Sequence, residues 1–115
     1  AFVSSPAKRA KRTAQAFADV LGKNNDHIIF REKLYMAGVE EFYNVIVQLD
    51  ESIKNVAIFS HNPGITVFAN MLQVAVIDEM PTCSMFAIKC SAEKWSEFRM
   101  AKKEFWFFDF PKNII

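Results

Sequence analysis

One short apolar segment, Asn55-Val56-Ala57-Ile58-Phe59-Ser60, most constrains what this chain can fold into. Helical patterns stand on both sides of it, at about residues 39–49 and 65–74. A nearly continuous apolar run between helices is typical of a central parallel strand that is covered on both faces. The segment therefore predicts an α/β fold with a largely parallel sheet.

The remaining pattern continues this alternation of strand and helix. Further strands are predicted at residues 1–3, 27–30, 85–91 and 104–110, with a turn at Pro81-Thr82 and either a short helix or a polar loop at 92–100. Ser5 before Pro6 is a typical helix start and predicts a helix over residues 6–21. Its predicted buried stripe is Ala7, Ala10, Ala14, Phe17 and Leu21. At 115 residues the chain has room for one core, so we expect a single domain over residues 1–115.

Composition and charge exclude several classes of protein. The formal net charge of +1 gives no general attraction to nucleic acid or to an anionic membrane. No apolar run of about 18 residues could span a membrane, and charges from Lys8 onward leave no secretory signal. Cys83 and Cys90 fall on opposite faces of one predicted strand, so they cannot pair with each other. Reduced thiols are expected, and with them a cytoplasmic location. The aromatic residues near the C-terminus are predicted to be core, with a part in an interface as the alternative: Phe105, Trp106, Phe107, Phe108 and Phe110.

The first candidate site is the loop that enters the first helix, Ser4-Ser5-Pro6-Ala7-Lys8-Arg9. A helix N-terminus favours an anion, because its backbone N–H groups are unpaired and carry partial positive charge. Cations in a first turn disfavour the helix, and a bound phosphate would offset that cost, with Arg as the better phosphate ligand. For Arg9 the spacing supports a phosphate contact and a solvated helix face equally. For Lys8, Lys11 and Arg12 the solvated face is favoured.

The second candidate site is Ser60-His61-Asn62-Pro63-Gly64, directly after the apolar strand. A His in that place points into a strand-end cleft, where it can act as acid, base, nucleophile or charge partner. The structural alternative is a His that caps the next helix or hydrogen-bonds to the backbone. The other histidine, His27, is predicted to lie on the surface. Two histidines without further ligands at metal-binding spacing form no metal site, and no Gly-rich phosphate loop is present, so no metal or cofactor is expected.

Four segments, taken together, resemble one family. In chain order they are Ser5-Pro6-Ala7-Lys8-Arg9-Ala10 with Thr13-Ala14, then Ser60-His61-Asn62-Pro63-Gly64, then Met80-Pro81-Thr82-Cys83, then Phe108-Asp109-Phe110-Pro111-Lys112. Over nearly the whole chain, their order and spacing are similar to those of the SixA-like branch of the histidine phosphatase superfamily. The resemblance implies a three-layer α/β/α fold of the phosphoglycerate mutase type with a mostly parallel sheet. It also implies phosphatase activity through a covalent phosphohistidine intermediate.

The resemblance also implies roles for single residues. In the family a nucleophilic His attacks phosphorus, a second His and two Arg residues surround the phosphate, and water hydrolyses the phosphohistidine. By motif match Arg9 corresponds to the second phosphate-binding Arg and His61 to the second His. Ser5 and Asn62 are further phosphate-binding candidates, and Ser5, which matches the position before the Pro, is expected to help order the loop. Fixed cations and donors are what the charge on the equatorial oxygens requires.

The family's Arg-His-Gly or Arg-His-Ala motif, which carries the nucleophile, has no counterpart here, since no Arg-His pair occurs in the sequence. In the family this motif ends the first strand, N-terminal to the segment that matches Ser5 to Arg9. We therefore expect the chain to lack that strand and to be inactive alone. Glu32 is the candidate general acid because it follows a strand end, with a solvated charged face as the alternative.

The expected substrate is protein phosphohistidine, as on a histidine phosphocarrier, because short loops leave little room for a lid over a small metabolite. A phosphomonoesterase for a small phosphate ester is the second enzyme hypothesis, and it requires a general acid and a deeper pocket. A non-catalytic phosphate-binding module is the third, if the chain is complete. No nucleic-acid or membrane partner is expected.

Overall fold

The computed structural model describes residues 1–24, 27–72, 80 and 85–109. Its strands are β1 (Phe2–Ser4), β2 (Ile28–Phe30), β3 (Ala57–Phe59), β4 (Met85–Cys90) and β5 (Lys103–Asp109). Its helices are α1 (Lys8–Val20), α2 (Val39–Val47) and α3 (Gly64–Met71), with short 3₁₀ turns at Glu32–Leu34 and Trp95–Glu97. The predicted alternation of strands and helices is confirmed, and the protein is a mixed α/β fold.

The first sheet has three parallel strands in the order β2-β1-β3. Val3 of β1 lies opposite Ile29 on one side and Ile58 on the other, and it is buried. Thus β1, rather than the strand predicted at residues 55–60, is central among the described strands. Within the described ranges that prediction is wrong in this respect, because β3 pairs there with β1 alone and its other side faces a cleft.

The second sheet is an antiparallel pair of β4 and β5, with an irregularity in register between Ala87 and Ile88. The chain between these strands contains a 3₁₀ turn and no crossover helix, so it returns antiparallel. Among the strands that the structure describes, a parallel arrangement is therefore confined to the first sheet. Phe105 and Trp106 are 41% and 59% exposed, so the prediction that they are core is wrong. Among the described strands β5 pairs with β4 alone, so these rings lie on an edge strand of a two-stranded sheet. Phe110, Cys83 and the predicted turn at Pro81-Thr82 lie outside the described residues.

Helix α1 packs on the first sheet through Ala10, Ala14 and Ala18, which are all buried. Small side chains at a spacing of four let the helix approach the strands closely. The helix begins later than predicted, because Ala7 is the N-cap residue and Pro6 precedes the helix. The buried stripe also runs through Ala18 and excludes Leu21, which is 60% exposed.

The main core lies between α2, α3 and the turn at Glu32–Leu34. Phe42 of α2 is fully buried and stacks on Phe68 of α3, with ring centroids 4.8 Å apart. Burial of an aromatic side chain of this size contributes about 2–3 kcal/mol. The stack therefore fixes α3, and with it the turn that precedes α3, against α2. Within the described ranges, no helix has the length and apolar character needed to cross a membrane.

Candidate functional site

The loops that follow β1 and β3 lie together at the carboxyl end of the parallel sheet. Ser5 follows the end of β1, and its N–H donates to the carbonyl oxygen of Phe59 at the end of β3, at 2.9 Å. The N–H of Arg31, just after β2, donates to Ser4 at 2.9 Å. The carboxyl ends of all three parallel strands therefore lie side by side, which is where α/β proteins hold ligands.

Ser5 turns the chain from β1 into α1. Its hydroxyl oxygen accepts a hydrogen bond from the N–H of Ala7 at 3.2 Å, and the hydroxyl of Ser4 donates to the carbonyl oxygen of Ser5 at 2.8 Å. Both serine side chains are fully buried. Ser5 thus orders the loop, as the sequence predicted, and its side chain is closed to solvent.

Arg9 occupies the first turn of α1 and is exposed at the rim of a cleft. Its main-chain carbonyl accepts a hydrogen bond from the Thr13 hydroxyl at 3.0 Å. Its guanidinium makes no hydrogen bond or ion pair with any residue of the described part of the chain. The charged fork is therefore available to a ligand.

His61 follows β3 and lines the same cleft as Arg9. Its ring stands edge-on to Tyr35, with centroids 6.0 Å apart and an interplanar angle of 65°. The Nε2 atom is buried and has no hydrogen-bond partner among the residues described. A buried polar atom without a partner is uncommon and costs about 1–3 kcal/mol, so a ligand that pairs with it gains that energy.

Asn62 belongs to a small hydrogen-bonded ring. Its amide nitrogen donates to the carbonyl oxygen of Met80 at 2.7 Å, and its Oδ1 accepts from the hydroxyl of Thr66. The N–H of Met80 in turn donates to Thr66 Oγ1 at 3.0 Å. The side-chain Oδ1 and one side-chain amide hydrogen of Asn62 thus already form hydrogen bonds within the protein. Sequence reasoning missed Thr66, although its place four residues after Asn62 puts both on one face at the start of α3.

The turn that carries His61 is packed against the segment after the first 3₁₀ turn. The hydroxyl of Ser60 donates to the carbonyl oxygen of Leu34 at 3.1 Å. A Cβ atom on Gly64 would stand 2.2 Å from the carbonyl oxygen of Ala37, so only glycine allows this approach. These contacts hold the His61 backbone in place. The Asn62–Pro63 peptide bond within the turn is cis.

The cleft itself lies between the two sheets and has a volume of about 1480 Å³. Its walls include β3, β4, α3 and the first turn of α1. Ala57 and Phe59 direct their main-chain groups toward β1, because Ala57 N–H donates to Ala1 and Phe59 oxygen accepts from Ser5. The alternation of a parallel ladder then turns the N–H and C=O of Ile58 toward the cleft. No described strand pairs with them there.

Glu32 is exposed in the first 3₁₀ turn and is not among the residues that line the cleft, whereas Tyr35, three residues later, is. Its role as general acid stays a prediction. His27 is exposed, as predicted. Over the described ranges, no group of three His, Cys, Asp or Glu side chains is placed to hold a metal ion.

Comparison with known proteins adds one fold likeness. No protein-family model and no curated protein matches the chain. A solved structure from Nakamurella multipartitia, named putative phosphohistidine phosphatase SixA, superposes with a TM-score of 0.73 at 17% sequence identity. The match covers 96% of this chain and 70% of the other. At this identity the likeness shows a shared fold.

Proposed function

We propose that this chain is a histidine-phosphatase-like domain that holds a phosphoryl group between Arg9 and His61. The carrying observation is that two residues line one cleft at the strand ends: His61, whose buried Nε2 has no hydrogen-bond partner among the described residues, and Arg9, whose guanidinium is unpaired there. Arg9 binds phosphoryl oxygens through its planar fork, and His61 neutralises charge on a neighbouring oxygen.

The proposed reaction is hydrolysis through a phosphohistidine intermediate. A nucleophilic imidazole nitrogen forms a bond to phosphorus while the bond to the leaving group breaks, and the leaving group takes up a proton. Water then attacks phosphorus, which releases inorganic phosphate and restores the imidazole. Arg9 and His61 act in both steps by stabilising the charge on the equatorial oxygens.

We further propose that the nucleophile is carried on a strand with an Arg-His pair that runs between β3 and β4. The open main-chain groups of Ile58 and the cleft that separates the two sheets support this placement. Such a strand would join the sheets into one mostly parallel sheet with helices on both faces, the three-layer arrangement of the resemblance. Its carboxyl end, aligned with that of β3, would bring the Arg-His pair beside His61.

The proposed substrate is phosphohistidine on a protein phosphocarrier. The cleft is open, and no long insertion covers it among the described residues, which suits a protein substrate better than a small ester. Glu32 does not line the cleft, and a phosphoramidate requires less help from a general acid than an alkoxide does. This substrate and the free thiol of Cys90 favour a cytoplasmic location.

The test begins with the intact coding sequence, read for Arg-His-Gly or Arg-His-Ala upstream of Ser5. The full-length protein should release phosphate from a phosphohistidine carrier without added metal. His61→Ala and Arg9→Ala should each lower kcat/KM by about 10²-fold or more. Lys102→Ala, an exposed change outside the cleft lining, serves as the control. Unchanged rates in both site variants would refute the assignment.

Because the printed sequence contains no Arg-His pair, a non-catalytic phosphate-binding module is the second candidate. It predicts that inorganic phosphate shifts the His61 ring resonances in this chain, and that Arg9→Ala abolishes the shift. An upstream Arg-His pair together with hydrolysis would exclude this candidate.

A further inference from the structure

The basic side chains of this protein are unevenly distributed. The whole chain has 14 Lys and Arg against 13 Asp and Glu, yet residues 1–18 contain four cations and no acid. Three of these cations and one after β2 form what we call the basic rim: Lys8, Lys11, Arg12 and Arg31. All four side chains are exposed. The rest of the chain is therefore net acidic, and the positive charge is concentrated in one region.

The rim is gathered by the fold from separate parts of the sequence. The Nζ of Lys11 lies 5.8 Å from the ring centre of Phe30 at the end of β2. The next residue, Arg31, hydrogen-bonds through its N–H to Ser4 at the end of β1. The basic rim therefore lies at the carboxyl end of the parallel sheet, next to Arg9, where α1 begins and where β1 and β2 end.

Nothing within the described ranges neutralises the rim by an ion pair. The ion pair found there joins Arg99 and Glu40, on other elements. Glu32 is the acidic residue next to Arg31 in the chain, and Lys33 beside it offsets its charge. Lys8 stands in the first turn of α1, where the helix dipole disfavours a cation. An external anionic partner would relieve this unfavourable charge.

We infer that the basic rim docks an acidic segment of the phosphorylated partner protein, next to the phosphoryl group held by Arg9. The identity of the phosphoryl group rests on the proposed function, whereas the rim's preference for acidic peptide does not. A protein segment fits better than nucleic acid, because the rim is short and the remaining net-acidic surface repels an extended polyanion. The rim supplies affinity and orientation, and Arg9 supplies the contact to phosphorus-bound oxygens.

The test is fluorescence anisotropy with a labelled Glu-rich peptide and its matched peptide in which Gln replaces every Glu. The Glu-rich peptide should bind this chain, and its affinity should fall about tenfold between roughly 20 and 300 mM salt, because exposed charges are screened. The triple variant Lys8→Glu/Lys11→Glu/Arg12→Glu should weaken binding about tenfold or more. It should fold well, since all three positions are exposed and Glu at position 8 is favourable in the first helical turn.

The matched control is Lys54→Glu/Lys94→Glu/Lys102→Glu, which changes the net charge equally at exposed sites outside the rim. It should keep affinity within about twofold, since the effect is local. Equal loss in the two triple variants, equal binding of the Gln peptide, or tighter binding of an oligonucleotide of the same charge would overturn the inference. Arg9→Ala should leave Glu-peptide binding largely intact while abolishing the phosphate response. If the unmodified chain binds the Glu-rich peptide but shows no response to phosphate, or if Arg9→Ala keeps the full phosphate response, the proposed function is refuted and the docking role of the rim is not.

Discussion

The side-chain amide of Asn62 donates a hydrogen bond of 2.7 Å to the main-chain carbonyl of Met80, 18 residues away in the sequence. Thr66 closes the ring, donating to Asn62 and accepting from the N–H of Met80. Side chains of the His61 turn and of the first turn of α3 therefore hold residue 80 beside the cleft. Asn62 therefore positions Met80 beside the cleft, and its second side-chain amide hydrogen is not needed for this role.

Thr66→Val should lower the free energy of unfolding by about 1–3 kcal/mol, because Thr66 is buried and its loss leaves two polar groups unpaired. Thr66→Ser keeps the hydroxyl and should lose clearly less. Urea denaturation of the three proteins measures the difference. An equal loss in the Ser and Val variants would show that the methyl group, rather than the hydrogen bonds, matters at this position.

Gly64→Ala should destabilise the protein by about 2–4 kcal/mol, because the new Cβ would meet the Ala37 carbonyl oxygen at 2.2 Å and the backbone must shift. Gly38→Ala is the matched control, since its Cβ would approach only the end of the Glu41 side chain, at 3.3 Å. Thermal unfolding of both variants compares them. The His61 resonances should also move in the Gly64 variant, since both residues share one turn.

Tyr35→Ala should weaken phosphate binding by about threefold to tenfold, because the edge-on ring contact that orients His61 contributes about 0.5–1.5 kcal/mol. Tyr35→Phe retains the ring and should bind phosphate as the unmodified chain does. Titration followed by the His61 ring resonances measures both affinities. If the Phe variant is as weak as the Ala variant, the hydroxyl and not the ring is what matters.

Ile58 should exchange its amide hydrogen faster than Ala57 and Phe59 in this chain, because its main-chain groups face the cleft and theirs face β1. In a longer protein that contains the proposed Arg-His strand, the Ile58 amide should become as protected as its neighbours. Hydrogen exchange followed by NMR measures both states. Continued fast exchange at Ile58 in an active longer protein would place the Arg-His strand elsewhere.

Local patterns in the sequence are sufficient to predict most of the strands and helices of this fold. Apolar runs predict β2 and β3, and the helical pattern over residues 39–49 predicts α2. The start of α1 was misplaced because Ser5-Pro6 is a typical capping pattern, whereas here Ser5 is used to close the loop after β1. The position of β3 at a sheet edge depends on which strands are present beside it, which its own residues do not encode.

In the candidate site, too, some features follow from local sequence and others depend on tertiary packing. The position of His61 directly after a strand and of Arg9 in a first helical turn follows from local sequence. The contacts around the His61 turn do not, because Tyr35 reaches His61, Ala37 reaches Gly64 and Met80 reaches Asn62 only through tertiary packing. No periodicity links residues 18 or more apart in this manner, and only the folded chain brings them together.

Among the described strands, β3 and β4 each have one side without a strand partner, and this affects how the polypeptide should be handled. An exposed strand edge is a template on which another strand can add, and the edge of β3 is apolar on either side of Ile58. Two molecules that meet at these edges can pair with each other and begin edge-to-edge aggregation. Low protein concentration and mild temperature should therefore slow this edge-to-edge aggregation.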